Sequence, residues 1–161
     1  MSGLQKALST IREQASNTTE LGNAFERLSK VFLENDATQR QQYSKVWRYE
    51  DWAKEKEGYS TKDIGIDLVA KLREEEGYCA IQCKFYEPEH SISNADLDSF
   101  ISASSTNDFQ RLLLIDTSIQ PIGKNARSVF DNINQDYIRI QLSELEESLI
   151  DWSTYIRDGA V

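Results

Sequence analysis

Residues 62–86 constrain the fold of this chain more than any other stretch, because they predict a pair of neighbouring strands. Apolar and polar side chains alternate across residues 66–71 and again across residues 78–85, which is the pattern of half-buried strands. The polar connector at residues 73–77 ends in a glycine and is long enough to close a hairpin. We expect one face of this antiparallel hairpin to be apolar and to carry Ile66, Leu68, Ala70, Cys79, Ile81, Cys83 and Phe85.

Three polar side chains are expected to share the opposite face at one end of the hairpin. Antiparallel pairing places Asp67 beside Gln82 and Lys84. Carboxylate and amide oxygens are ligands that Mg²⁺ accepts, and a nearby ammonium group can neutralise the charge of a phosphate. The backbone carbonyl of Cys83 is expected to point to the same edge as a further oxygen ligand. These residues predict a magnesium and phosphate site.

A simpler interpretation is that Gln82 and Lys84 face solvent on a half-buried strand. Their neighbours Ile81, Cys83 and Phe85 are apolar, however, and this favours a strand that lies inside a sheet. Two polar residues at the end of a central strand have fewer purely structural explanations, so the pattern favours the site.

Composition places the chain among single-domain globular proteins. Its 161 residues are 39% hydrophobic and 28% charged, which is ordinary for a soluble domain. No apolar run approaches the roughly 20 residues that span a bilayer, and the first residues lack the order of a signal peptide, so we expect a cytoplasmic protein. Cys79 and Cys83 lie too far apart on one predicted strand for a disulfide and are expected to be small core residues.

The net charge of −9, from 18 basic and 27 acidic residues, bears on nucleic-acid binding. Phosphate neutralisation by lysine and arginine normally dominates the affinity of a protein for DNA. The acidic balance therefore argues against a free-standing DNA-binding protein. If the domain acts on DNA, it is expected to bind weakly alone and to be delivered by something else.

The rest of the chain predicts alternating helices and strands. Helical spacing of apolar residues covers residues 4–14, 20–34, 93–104, 121–132 and 143–150, and strands are predicted at residues 41–49, 111–116 and 137–141. Residues 35–42 are predicted as a loop or short turn. Ser93 with Asp96, and Ser143 with Glu146, are spaced as capping boxes. This order predicts an α/β fold with a mixed central sheet flanked by helices.

Three segments carry a resemblance to a known family: Gly22-x-x-Phe25-Glu26, Gly65-Ile66-Asp67-Leu68 and Ile81-Gln82-Cys83-Lys84. They resemble the Mrr-type branch of the PD-(D/E)xK nucleases, in which Gln often replaces the acidic residue before x-Lys. The later segments KFYEPEHSISNADLDSFISASS and LSELEESLIDWS resemble more closely the N-terminal nuclease domain of large helicase-nuclease polypeptides, including the type ISP restriction-modification enzymes.

The resemblance implies a restriction-endonuclease-like fold over residues 1–161 and magnesium-dependent hydrolysis of DNA phosphodiester bonds. It also implies an N-terminal fragment of a larger protein, with helicase, methyltransferase and target-recognition parts on the C-terminal side. By position, Asp67, Gln82 and Lys84 match the catalytic triplet, and Glu26 matches the helix acid that often completes the metal shell. A monomer that binds DNA and no membrane is expected.

Several alternatives stay open beside this interpretation. Glu26 lies at the margin of an apolar helix stripe, where a glutamate is usually solvated. Asp63 stands where family members often have an acid, and it could support the metal ligands or cap a loop. His90 could contact DNA or transfer a proton, although a surface loop histidine is the simpler interpretation. The domain as a whole could instead be a catalytically silent docking module of the same fold, or a structure-selective nuclease such as a junction resolvase.

Overall fold

The computed structural model describes residues 2–62 and 64–161 of the chain, and a five-stranded sheet lies at its centre. Its strands are β1 (Tyr43–Arg48), β2 (Leu68–Leu72), β3 (Tyr78–Lys84), β4 (Phe109–Asp116) and β5 (Asp136–Ile140), and they follow one another across the sheet in chain order. The first two pairings are antiparallel, whereas β3 with β4 and β4 with β5 are parallel. The sheet is therefore mixed, as predicted.

Helices cover both faces of this sheet and form two layers. They are α1 (Gly3–Gln14), α2 (Thr18–Asn35), α3 (Ala37–Gln42), α4 (Tyr49–Glu55), α5 (Asn94–Ala103), α6 (Lys124–Asp131), α7 (Leu142–Glu147) and α8 (Trp152–Asp158). Apolar residues of α1, α2, α7 and α8 pack on one face, which we call the first layer. Apolar residues of α4, α5 and α6 pack on the other face, the second layer. None of the helices in the described ranges is long and apolar enough to cross a membrane.

The predicted hairpin is present as β2 and β3, with Leu68 opposite Ile81 and Ala70 opposite Cys79. These four residues are fully buried in the first layer. Both faces of the hairpin are covered, however, because Val69 on the opposite face is equally buried in the second layer. Cys79 and Cys83 are free thiols in the core, as expected.

The expectation for Ile66 is wrong. Ile66 packs in the second layer with Val69 and not in the first layer with Leu68. The strand begins only at Leu68, and Gly65 just before it has a φ of +102°. The strict alternation of a strand therefore does not extend back to Ile66.

Two helix boundaries also differ from the sequence expectation. Residues 37–42 form the short helix α3, because the Asp36 side chain accepts hydrogen bonds from the first backbone amides of that helix. At the C-terminal end the helix predicted over residues 143–150 is the shorter helix α7, which ends at Glu147, and a further helix that was not predicted, α8, begins at Trp152. The predicted capping box of Ser143 and Glu146 is wrong, because α7 begins earlier and its box pairs Gln141 with Glu144, and Asp151 caps α8. The box of Ser93 and Asp96 at α5 is confirmed.

Gly65 allows the chain just before β2 to approach the backbone of α5 closely. A Cβ atom built there would lie 2.8 Å from the backbone carbonyl carbon of Ser99 in α5. The positive φ and this close approach both require glycine. Gly22, in α2, has no heavy atom within 4 Å of such a Cβ.

We expect Gly65→Ala to lower the free energy of unfolding by on the order of 2 kcal/mol, because alanine is strained at this φ and meets the α5 backbone. Gly22→Ala is the matched control and should stabilise the protein by roughly 0.5–1 kcal/mol, since alanine favours a helix interior. Urea unfolding of both variants provides the measurement. Equal effects of the two substitutions would contradict the close packing of α5 against Gly65.

Candidate active site

Asp67 is held by its backbone on two sides at the start of β2. Its amide nitrogen donates to the carbonyl oxygen of Ile81 at 2.9 Å, and Ile81 is also the residue that pairs with Leu68 in the β2–β3 ladder. Its carbonyl oxygen accepts a hydrogen bond from the amide nitrogen of Tyr49 at 3.0 Å, where β1 gives way to α4. Asp67 is therefore placed between β1 and β3 at one end of the sheet.

The Asp67 carboxylate faces the strand beside it. Asp67 Oδ2 accepts hydrogen bonds from Gln82 Nε2 at 3.0 Å and from the Cys83 amide nitrogen at 2.7 Å. Gln82 is only 7% exposed. Because the amide nitrogen of Gln82 is engaged by Asp67, its amide oxygen is the atom that remains for a metal ion. The backbone of Cys83 lies at the same point of the strand.

Glu26 reaches the same carboxylate from helix α2. This helix begins at an Asn17 cap, and the residue before Glu26, Phe25, is fully buried in the first layer. The Glu26 side chain is 14% exposed, and its Oε2 lies 3.0 Å from Arg48 Nη2. The apolar stripe of α2 thus brings Glu26 to the end of the sheet rather than into solvent.

The environment of Glu26 raises the pKa of its carboxyl to about 8. Burial is the largest cause, followed by the hydrogen bond with Asp67 and the negative charge of Asp67, and these outweigh the opposing effect of Arg48. In the metal-free protein at neutral pH, Glu26 therefore retains a proton next to Asp67. Two carboxyl groups held together in this way form a site that a divalent cation would stabilise.

Lys84 is the last residue of β3 and is half-buried. It follows Gln82 by two residues and therefore points to the same side of the sheet. Lys84, Gln82, Asp67 and Glu26 line one cleft of about 620 Å³, together with Cys83. The structure thus brings all five predicted site residues to one place, between the N-terminal part of α2 and the start of α5.

His90 is not an isolated surface residue. Its ring stacks on Tyr86 with 3.9 Å between centroids, and its Nε2 lies 3.1 Å from Asp96 Oδ2. The Tyr86 hydroxyl donates to Asp96 Oδ1 at 2.9 Å. Burial acts to raise the pKa of Asp96, but hydrogen bonds from the Ser93 amide, His90 and Tyr86 outweigh it and lower the pKa to about 2.

Asp96 therefore adds a permanent negative charge to the cleft, which it also lines. The spacing of Asp96 from Ser93 predicts only a helix cap and not this second role. The signal that could have found it is the pair Tyr86 and His90, which lie within ten residues of Asp96 after the strand that holds Lys84. Asp63 lies outside the residues that the structure describes.

The donor set of the cleft fits magnesium. Across residues 2–62 and 64–161, no three His, Cys, Asp or Glu side chains converge as a cation site. The carboxyl groups of Glu26 and Asp67 meet the side-chain amide of Gln82 instead. Mg²⁺ prefers such oxygen ligands, completes its shell with water, and needs few protein groups.

The proximity of Glu26 to Asp67 predicts a pH-dependent stability. The raised pKa of Glu26 means that the folded protein holds its proton more tightly than the unfolded chain. The stability from this group is complete below about pH 4.5 and is lost as the pH rises towards 8. In metal-free buffer we expect this loss to be on the order of 2 kcal/mol, and Glu26→Gln should abolish it.

Urea unfolding in EDTA between acid and mildly alkaline pH measures this dependence. Glu13→Gln, at an exposed position of α1, is the matched control and should keep the wild-type pH profile. A Glu26→Gln profile parallel to that of the wild type would show that the two carboxyl groups are not coupled.

Comparisons with known proteins identify the family and the fold. The Mrr_cat_2 restriction endonuclease family matches residues 34–160, a range that begins after Glu26. The chain is similar to the ATP-dependent type ISP restriction-modification enzyme LlaBIII bound to DNA, with a TM-score of 0.70 and 29% identity over 91% of this chain and 9% of that one. No curated protein sequence matches the chain.

A second solved structure supports the fold alone. The MspJI restriction endonuclease in complex with a 27-mer oligonucleotide is 12% identical, with a TM-score of 0.52 over 89% of this chain and 30% of that one. The chain thus spans less than a third of the length of either structure. These matches confirm the restriction-endonuclease-like α/β fold and the resemblance noted in the sequence. The chain belongs to the Mrr_cat_2 family of restriction endonuclease domains.

Proposed function

We propose that this domain hydrolyses DNA phosphodiester bonds with the help of Mg²⁺, as the nuclease part of a restriction enzyme. The observation that carries the proposal is the convergence of Glu26, Asp67, Gln82 and Lys84 on one cleft at the end of the sheet. Membership of a restriction endonuclease family supports it, as does the similarity to a type ISP enzyme bound to DNA.

Each site residue has a distinct task in this proposal. Asp67, Glu26, the amide oxygen of Gln82 and the backbone carbonyl of Cys83 would hold Mg²⁺. When bound, the ion polarises the phosphate and makes a coordinated water more acidic. Because the ligand set contains Gln82 instead of a third carboxylate, it carries one negative charge less and should bind the ion less tightly.

Lys84 provides the positive charge of the cleft. Its ammonium group would orient the attacking water and stabilise the charge that develops on the phosphate. Asp116 lies opposite Lys84 in the register of β3 and β4. Arg139 binds Asp116 through two N–H donors, at 2.9 and 3.1 Å, so the buried carboxylate is compensated by a group other than Lys84.

The acidic surface implies that the domain depends on a larger protein for DNA binding. A net charge of −9 disfavours independent association with a phosphate backbone. We propose that helicase, methyltransferase and target-recognition segments of the same polypeptide bring DNA to the cleft. The isolated domain, a monomer in this proposal, should nick DNA slowly and without sequence preference.

One observation favours a second candidate, a docking module that keeps the fold without catalysis. Gln82 stands in place of a carboxylate, and among the residues that the structure describes two acidic side chains, Glu26 and Asp67, meet at the proposed metal position. In this alternative a partner domain would cleave DNA, and the cleft would be vestigial.

Asp67→Asn separates the two candidates. An asparagine oxygen can still accept the hydrogen bond from the Cys83 amide, so the fold should persist. For the nuclease we expect the rate of Mg²⁺-dependent plasmid cleavage by the full-length protein to fall about a hundredfold or more, with ATP hydrolysis intact. Asp51→Asn, on the exposed side of α4, should cleave at the wild-type rate. Undiminished cleavage by Asp67→Asn would favour the docking module.

Gln82→Glu tests the ligand set. The new carboxylate would face Asp67 Oδ2, now 3.0 Å from Gln82 Nε2, so the metal-free variant should be less stable than the wild type near neutral pH. Its affinity for Mg²⁺ should rise roughly tenfold, because one ligand gains a charge. Calorimetric titration with Mg²⁺ and urea unfolding in EDTA measure the two effects. Tighter Mg²⁺ binding by the wild type would refute the proposed role of Gln82.

A further inference from the structure

Arg48, the last residue of β1, contacts the site although no sequence pattern points to it. Its Nη2 atom lies 3.0 Å from Glu26 Oε2. In the sheet it pairs with Leu68, the neighbour of Asp67, and the next amide along the chain donates to the Asp67 carbonyl oxygen. The end of β1 is thus fixed beside Asp67, while its last side chain reaches Glu26.

Arg48 and Lys84 approach the carboxyl pair from different cavities. A second cavity, of about 180 Å³, is lined by Arg48, Glu26 and Asp67 but not by Lys84 or Gln82. Glu26 and Asp67 also line the larger cleft, where Lys84 and Gln82 lie. The two carboxyl groups therefore lie between two openings, one with the guanidinium group and one with the proposed metal ligands.

The contact of Arg48 with Glu26 is of a kind that can be released. It is a single hydrogen bond, whereas an arginine held permanently on a carboxylate usually makes two parallel ones. The Arg48 side chain is 35% exposed, against 14% for Glu26. The guanidinium group can therefore turn into solvent without losing hydration. Because Glu26 is more buried, an unpaired Glu26 would be unfavourable, so release is expected only when another cation takes the place of Arg48.

We propose that Arg48 is an internal counter-cation that competes with the divalent ion for Glu26. It donates a hydrogen bond to Glu26 in the metal-free protein and leaves this side chain when the ion binds. The inference rests on the proposed function, since it concerns the same metal site. Arg48 is a positioning residue in this scheme: it acts through Glu26 and touches neither the ion nor DNA.

Competition fixes the sign of the effect of removing Arg48. A positive charge beside Glu26 repels a divalent ion about twice as strongly as it repels a proton at the same place. Loss of the guanidinium charge therefore favours binding of the ion. A residue that merely oriented Glu26 for the ion would have the opposite effect, because its loss would weaken binding.

The test is calorimetric titration of the wild type, Arg48→Gln and Arg48→Lys with Mg²⁺. We expect Arg48→Gln to bind Mg²⁺ roughly threefold to tenfold more tightly than the wild type, and Arg48→Lys, which keeps the charge, to stay within about twofold of it. Arg127→Gln, at an exposed position of α6, is the charge-matched control and should leave the affinity unchanged. Equal or weaker binding by Arg48→Gln overturns the inference.

A measurement on the wild type alone covers the case in which Arg48→Gln does not fold. In protein with ¹⁵N-labelled arginine, the Arg48 guanidinium signals, assigned with Arg48→Lys, should move on addition of Mg²⁺ to the positions of solvent-exposed arginines. Signals that stay unchanged while Mg²⁺ binds overturn the role of Arg48 and leave the metal site intact. If neither the wild type nor any variant binds Mg²⁺, the proposed metal site itself fails, and the inference fails with it.

Discussion

The antiparallel pairing of β2 with β3 is the constraint on which the rest of the site depends. It sets Leu68 opposite Ile81, and Asp67, which precedes Leu68, receives both the Gln82 side-chain amide and the Cys83 backbone N–H on one carboxylate oxygen. Side chains alternate between faces with a period of two along a strand, so a slip of one residue would turn Leu68 out of the first layer and displace Asp67 from Gln82. The apolar residues that bury the hairpin on both faces therefore also fix the register of the proposed metal ligand.

Burial of both faces leaves the end of the sheet as the place where polar groups can meet. The two walls of the cleft come from different layers, α2 from the first and α5 from the second. Glu26 therefore meets Asp67 around the end of the sheet and not across a face. In this arrangement the carboxyl pair is buried enough to raise the pKa of Glu26. The pair also borders a cleft in which a phosphate could lie.

Local patterns in the sequence predict those structural features that depend on neighbouring residues, such as strands and the faces on which their side chains lie. The alternation around Ile81 and Gln82 predicted the hairpin, its faces and the grouping of Asp67 with Gln82 and Lys84. It failed at Ile66, because a glycine with positive φ interrupts the strand geometry just before it. The meeting of Glu26 with Asp67 depends on how α2 crosses the sheet, which periodicity does not encode; only family resemblance pointed to Glu26. No sequence pattern indicated Arg48, because its proposed role depends on a contact with Glu26, which lies 22 residues away in the sequence.

The buried ion pair of Asp116 with Arg139 has a consequence for the cleft, although neither residue belongs to the proposed catalytic set. Parallel pairing puts Asp116 directly beside Lys84, which is where an unpaired carboxylate would attract the ammonium group. The β5 strand supplies the arginine that prevents this. A substitution of Arg139 on the edge strand β5 would therefore free Asp116 to bind the Lys84 ammonium group and draw it out of the cleft. Lys84 would then be disabled from two strands away, with every residue of the cleft still in place.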